Sequence, residues 1–144
     1  MGVDGNLTLM SGPRFDQPMI EPESQEFWDG LKDGRLLIRR CGSCGDAHYY
    51  PRPFCPACWS EDVAWEQASG RATVYTYSTV FMNDLPPFAG QVPYVAAVVD
   101  LAEGPRMMTR IVGVPDDELA IGMAVTFTTA PLDDELKMAV FERA

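Results

Sequence analysis

Histidine, basic residues and long apolar runs are all scarce in this chain, and each shortage removes a class of function. There is one His in 144 residues, at position 48. It has no spare cysteine nucleophile to work with, and the chain contains neither a Gly-x-Ser-x-Gly elbow nor a phosphate-cradling glycine loop. No catalytic set carried by this chain alone is therefore legible. Lys and Arg number 11 against 21 Asp and Glu, giving a net charge of −10. Nucleic-acid affinity comes largely from phosphate neutralisation, so this acidity argues against general nucleic-acid binding and equally against an anionic membrane surface. No run approaches the 18 apolar residues of a membrane span, and the start lacks a basic segment followed by an apolar one, which predicts a soluble, cytoplasmic protein. The hydrophobic fraction of 47% is that of a folded chain.

Cysteine is also scarce, but its spacing is informative. All four cysteines lie in Cys41-Gly42-Ser43-Cys44 and Cys55-Pro56-Ala57-Cys58, with ten residues between the two pairs. Four thiolates at about 2.3 Å around a tetrahedral Zn²⁺ make a closed, structural site. Gly45 supplies the positive φ that turns the backbone after the first pair. Two disulfides would suit a small secreted protein, whereas a reducing compartment and a chain long enough to build its own core favour metal. A rubredoxin-like iron site, and with it an electron carrier, is the alternative metal reading.

Along the chain, residues 1–20 mix Gly, Pro, Asn, Asp and Ser without periodicity and are expected to form a disordered leader. Residues 21–35 contain a short helix from Pro22 to Leu31, with acids in its first turn and Gly34 after its end. Phe27, Trp28 and Leu31 share one side of that helix, which is too short to stand alone. Their face must dock, on this protein's own body or on a partner subunit. Residues 36–67 form the ribbon, with a strand at Leu36–Ile38 and the Tyr and Pro residues of the knuckle linker packing it. Residues 68–144 carry five strand patterns: 71–81, 94–101, 106–112, 123–129 and 137–142. The second, nearly continuously apolar, is expected to be the most buried. Five antiparallel strands at this spacing predict a mainly β chain ending in a small closed barrel, the OB fold, with its usual helix between the third and fourth strands reduced to a turn. An SH3-like barrel or a sandwich is the alternative.

The order of parts, with RRCGSCG, PRPFCPAC, WEQASGRATVYTYSTV, VPYVAAVVDLAEGPRMMTRIVG and LAIGMAVTF, resembles the zinc-ribbon/OB-fold family that accompanies acyl-CoA enzymes, over about residues 20–142. The resemblance implies a non-catalytic accessory subunit of a hetero-oligomer. Its partner would be a thiolase-like or lipid-transfer-protein-like chain that carries the reacting groups for thiolysis or for retro-aldol cleavage of a bulky, steroid-type acyl-CoA. The accessory chain can help to position the CoA thioester. At two points this sequence departs from the pattern. Trp59 stands where relatives often carry Gly, implying a different backbone closure for the second knuckle, and Ala72 and Ala124 replace frequent Gly and Pro.

Five of the eleven basic residues lie between positions 32 and 58, where the only acids are Asp33 and Asp46. Within that stretch Arg39, Arg40 and Arg52 are candidates for CoA phosphates or for partner contacts, because guanidinium forks match phosphate oxygens. Pairing with this chain's own acids is the competing reading. The acidic groups Asp116-Asp117-Glu118 and Asp133-Asp134-Glu135 read as solvated turns. A nucleic-acid-binding ribbon/OB module is the alternative function, and it requires a basic groove lined with aromatics.

Overall fold

The computed structural model describes residues 16–144. Most of the expected leader thus lies outside the described residues. Of its end, Gln17 donates from Nε2 to Asp133 Oδ2 at 3.1 Å.

Helix α1 spans Gln25–Lys32, later than the sequence pattern suggests. Residues 21–24 form a turn instead: the Ser24 amide donates to the Glu21 carbonyl at 2.9 Å. The buried Ser24 hydroxyl accepts from the Glu21 amide at 3.0 Å and closes that turn without capping the helix amides; Ser24 is the N-cap by position, and Pro22 and Glu23 precede the helix. Next comes a three-stranded antiparallel sheet with β1 (Leu37–Cys41) between β2 (Ala47–His48) and β3 (Val63–Gln67). β1 starts and ends later than the expected strand. The sequence pattern announces neither β2 nor β3. β3 returns along β1 in the register Leu37↔Gln67 to Cys41↔Val63, so its partner lies over 20 residues away in sequence.

The remaining strands are β4 (Arg71–Val80), β5 (Tyr94–Leu101), β6 (Arg106–Ile111), β7 (Ala124–Pro131) and β8 (Lys137–Arg143). They close in the order β4-β5-β6-β8-β7, with β7 returning to β4. β6 meets β8 in parallel at Ile111↔Phe141, and every other pairing is antiparallel. This is the OB barrel. The helix expected between its third and fourth strands is a single 3₁₀ turn, Asp116–Glu118. β5 alternates buried and half-buried positions along its whole length, so one of its faces, not both, lines the interior.

One apolar cluster runs through both halves. Phe27 and Leu31 of α1, with Leu36, Ile38 and Ala68, are buried in the same cluster as Val74, Val99, Leu101, Met107, Ile111, Val125 and Phe141 of the barrel. α1 packs on both β1 and β8, and it joins ribbon to barrel. Among the described residues, no helix is long and apolar enough to cross a membrane.

Candidate metal centre

The end of β1 delivers Cys41 and the next turn Cys44, while the loop before β3 delivers Cys55 and Cys58. All four Sγ atoms lie within 4.8 Å of one another. The Cys41–Cys58 and Cys44–Cys55 sulfurs are each 3.6 Å apart. A disulfide would need about 2.05 Å. A tetrahedron with Zn–S bonds of about 2.3 Å has sulfur–sulfur edges of about 3.8 Å, so the spacing fits one ion.

Backbone amides shape the site. Ser43 and Cys44 direct their N–H groups at Cys41 Sγ, at 3.3 and 3.4 Å, and Ala57 directs its own at Cys55 Sγ at 3.3 Å. Hydrogen bonding from the Cys44 amide, then from Ser43, brings the Cys41 thiol down to about 6. The Cys44 thiol moves the other way: the Asp46 amide lowers it, but desolvation and the neighbouring sulfurs outweigh that and push it up to about 12. Four sulfurs this close cannot all ionise without a cation between them. A Zn²⁺ held here supplies that charge and no open coordination position.

The two knuckles close alike. The Gly45 amide donates to the Cys41 carbonyl at 3.0 Å with φ 83°, and the Trp59 amide donates to the Cys55 carbonyl at 2.8 Å with φ 69°. Trp59 therefore adopts the left-handed backbone natural to glycine, and the different closure expected there does not occur. The Ser43 and Ser60 hydroxyls bridge the knuckles at 2.8 Å. At Gly42 the Asp62 carboxylate occupies the space a Cβ would take, so a side chain there would displace that carboxylate.

The aromatic face of α1 is used within the chain. Phe27 is 1% exposed and Leu31 0%. The Phe27 ring lies 5.2, 5.6 and 5.3 Å from the rings of Trp28, Tyr49 and Tyr50. Trp28 donates its Nε1–H to Tyr50 Oη at 2.8 Å. Burial pushes the Tyr49 hydroxyl up to about 12. Phe27 and Leu31 are thus not available to a partner, because the knuckle linker and β8 cover them. Trp28 retains a partly exposed edge.

The three candidate arginines are not brought together into one phosphate site. Arg40 binds Glu66 in bidentate fashion, Nε to Oε1 at 2.7 Å and Nη2 to Oε2 at 3.0 Å, and donates from Nη1 to the Gly45 carbonyl at 2.7 Å. Arg39 lies over the Trp65 ring at 4.3 Å and donates to the Val63 carbonyl at 3.0 Å. It borders a cavity of about 370 Å³ that Glu23, Glu26 and Asp29 also line, surroundings that repel phosphate. Arg52 is exposed. Its backbone amide donates to His48 Nε2 at 3.3 Å. Desolvation, then Arg39 and Arg52, holds His48 below the usual imidazole range, and it is neither a sulfur-site ligand nor an exposed base. Sequence reasoning missed Glu66 and Trp65, which lie on β3 beside the strand β1 that carries their arginines. The left-handed Trp59 was legible from its match to Gly45 in the repeated Cys-x-x-Cys-x frame.

Comparison with known proteins decides the family. The model described as "ChsH2, rubredoxin-like zinc ribbon domain" matches residues 28–64, and "ChsH2, C-terminal OB-fold domain" matches residues 65–130. The chain belongs to the ChsH2 zinc-ribbon/OB-fold family. All four cysteines of this ChsH2-family chain fall within the zinc-ribbon match, so the quartet is a structural zinc site. The chain is 36% identical over 128 residues to a probable enoyl-CoA hydratase alpha subunit from Thermomonospora curvata, covering 89% of this chain and 40% of the relative. It is 32% identical over 98 residues to the benzoylsuccinyl-CoA thiolase subunit BbsA of Thauera aromatica, covering 62% of this chain and 65% of that one. Among solved structures, a chain of the "Ltp2-ChsH2(DUF35) aldolase" superposes with a TM-score of 0.78 at 35% identity, over 88% of this chain and 98% of that one. The chain therefore spans well under half of the hydratase subunit, and nearly all of the aldolase chain.

Proposed function

We propose that this chain is the zinc-stapled accessory subunit of an acyl-CoA-processing complex, holding a thiolase-like subunit that performs the chemistry. The closed sulfur quartet carries the reading. With four sulfurs around the ion no position remains for water or substrate, so the metal organises the fold and activates nothing. His48 is buried and its Nε2 accepts from the Arg52 amide, so it is not placed as an exposed general base. The relatives named as a thiolase subunit and as part of an aldolase support a partner of thiolase type, and the steroid-type acyl-CoA is the substrate class of this proposal.

Within this proposal residues 36–67 act as the ribbon, residues 68–144 as the barrel and residues 21–35 as the brace between them. Arg52 is the one candidate arginine left for CoA phosphates, since Arg40 is neutralised by Glu66 and Arg39 faces carboxylates. The protein works in the cytoplasm, where thiols stay reduced and bind metal.

The test is affinity purification from the source cells with mass identification of co-eluting chains, followed by thioester assays on each component and on the mixture. A thiolase-like chain in the eluate, with cleavage only in the mixture, is the expected result. Thioester turnover by this chain alone, or its elution without any such partner, overturns the proposal.

A further inference from the structure

The three tryptophans occupy contrasting environments. Trp65 carries Arg39 over its face at 4.3 Å, and Trp28 is built into the Phe27–Tyr50 cluster. Trp59 is 72% exposed. One face of its ring stacks on Phe54, with centroids 5.2 Å apart and planes 12° from parallel, and the other is open. It holds this position with φ 69°, a backbone conformation unfavourable to a bulky side chain. The equivalent place in the first knuckle is filled by Gly45, so knuckle closure itself does not call for an indole. Left-handed strain and an exposed indole at one residue point to a contact made outside this chain.

The chemistry of that contact follows from charge and precedent within the molecule. Across residues 41–64 the acids Asp46, Glu61 and Asp62 face a single base, Arg52. Glu61 and Asp62 are exposed, and neither joins an ion pair among the described residues. A site of four thiolates filled by a divalent ion adds net negative charge beside Trp59. Elsewhere in this fold arginines cover aromatic faces: Arg106 lies 3.6 Å from the Tyr75 ring and Arg110 lies 4.0 Å from that of Tyr94. An exposed indole face in a segment of net negative charge suits a cation.

We propose that the open face of Trp59 receives an arginine side chain of the thiolase-like partner subunit, with Glu61 and Asp62 supplying the complementary charge. This rests on the accessory-subunit reading above.

The test uses the full chain, loaded with zinc, and the thiolase-like subunit recovered by copurification, titrated by calorimetry. W59G is expected to weaken association by between about threefold and thirtyfold, the range of a partly desolvated cation–π contact. Its zinc content should not fall, because glycine accepts this backbone, and its melting temperature should move by only a few degrees, because relief of left-handed strain offsets the lost Phe54 stack. Tryptophans with one, two and three ring fluorines, placed at position 59 alone by nonsense suppression, should weaken association stepwise as the ring face loses negative charge. Unchanged affinity in W59G, or affinity indifferent to fluorination, overturns the inference while leaving the accessory role standing. A wild-type chain that binds no thiolase-like subunit instead overturns the accessory role, and this inference with it.

Discussion

If α1 belongs to this protein's own core, Phe27→Ala must damage the fold before it damages any complex. The ring is 1% exposed and meets three other aromatic rings at 5.2 to 5.6 Å. Removing a buried Phe side chain typically costs about 3–5 kcal/mol, combining lost transfer free energy with the cavity left behind. The surrounding rings are fixed on α1 and on the knuckle linker, so collapse into the void is limited and the upper half of that range is expected. A chain of this size is stable by about 5–15 kcal/mol, so about 4 kcal/mol is a large share. At about 3–4 °C per kcal/mol for such a chain, the melting temperature should fall by roughly 12–16 °C. Urea unfolding of the zinc-loaded chain, followed by far-ultraviolet circular dichroism and by tryptophan fluorescence, measures it. Because the apolar cluster is continuous, both probes should shift together. A variant that keeps its stability yet loses its partner would refute the placement of Phe27 in the core.

Other perturbations give equally definite outcomes. Cys55→Ser should abolish stoichiometric zinc, measured by atomic emission, since one closed site holds the metal; a variant that retains one zinc per chain contradicts the four-sulfur site. Protons and zinc compete for the same sulfurs, so zinc should be lost to a chromophoric chelator progressively as pH falls, and retention that is independent of pH would contradict thiolate ligation. His48 has a depressed pKa in the fold, so its contribution is present above the ordinary imidazole value near 6.5 and is lost as pH falls below it. His48→Gln should flatten that acid limb in urea titrations between about pH 5 and 7, and an unaltered limb would exclude His48 as its source. Glu66→Gln removes a bidentate but partly exposed pair and should cost only about 0.5–1 kcal/mol in the same unfolding assay.

The barrel was readable because period-2 alternation and turn residues are local signals. β5 was placed at Tyr94–Leu101 to the residue, and the other four barrel strands to within two residues at either end. The knuckles were readable because ligand spacing is also local. What escaped was set by distant pairing. β3 exists because β1 lies beside it, and the Val63-x-Trp65 alternation was too brief to announce it. Glu66 sits 26 residues from Arg40, so no helical or strand period links them. Arg39 looked like a phosphate ligand by its neighbours in sequence, but folding sets it beside the acids of α1. The face of α1 was recognised as one that must be covered, and only tertiary structure distinguishes self from partner.

The eight-residue helix between the two halves works as a keystone. Its inner side chains are clasped by the tyrosines strung between the sulfur knuckles and, at the same time, rest on the last strand of the cylinder. Depriving the cell of zinc would therefore slacken more than the sulfur-bound tip, because the loosened tyrosines would release the wedge and the cylinder would lose its footing.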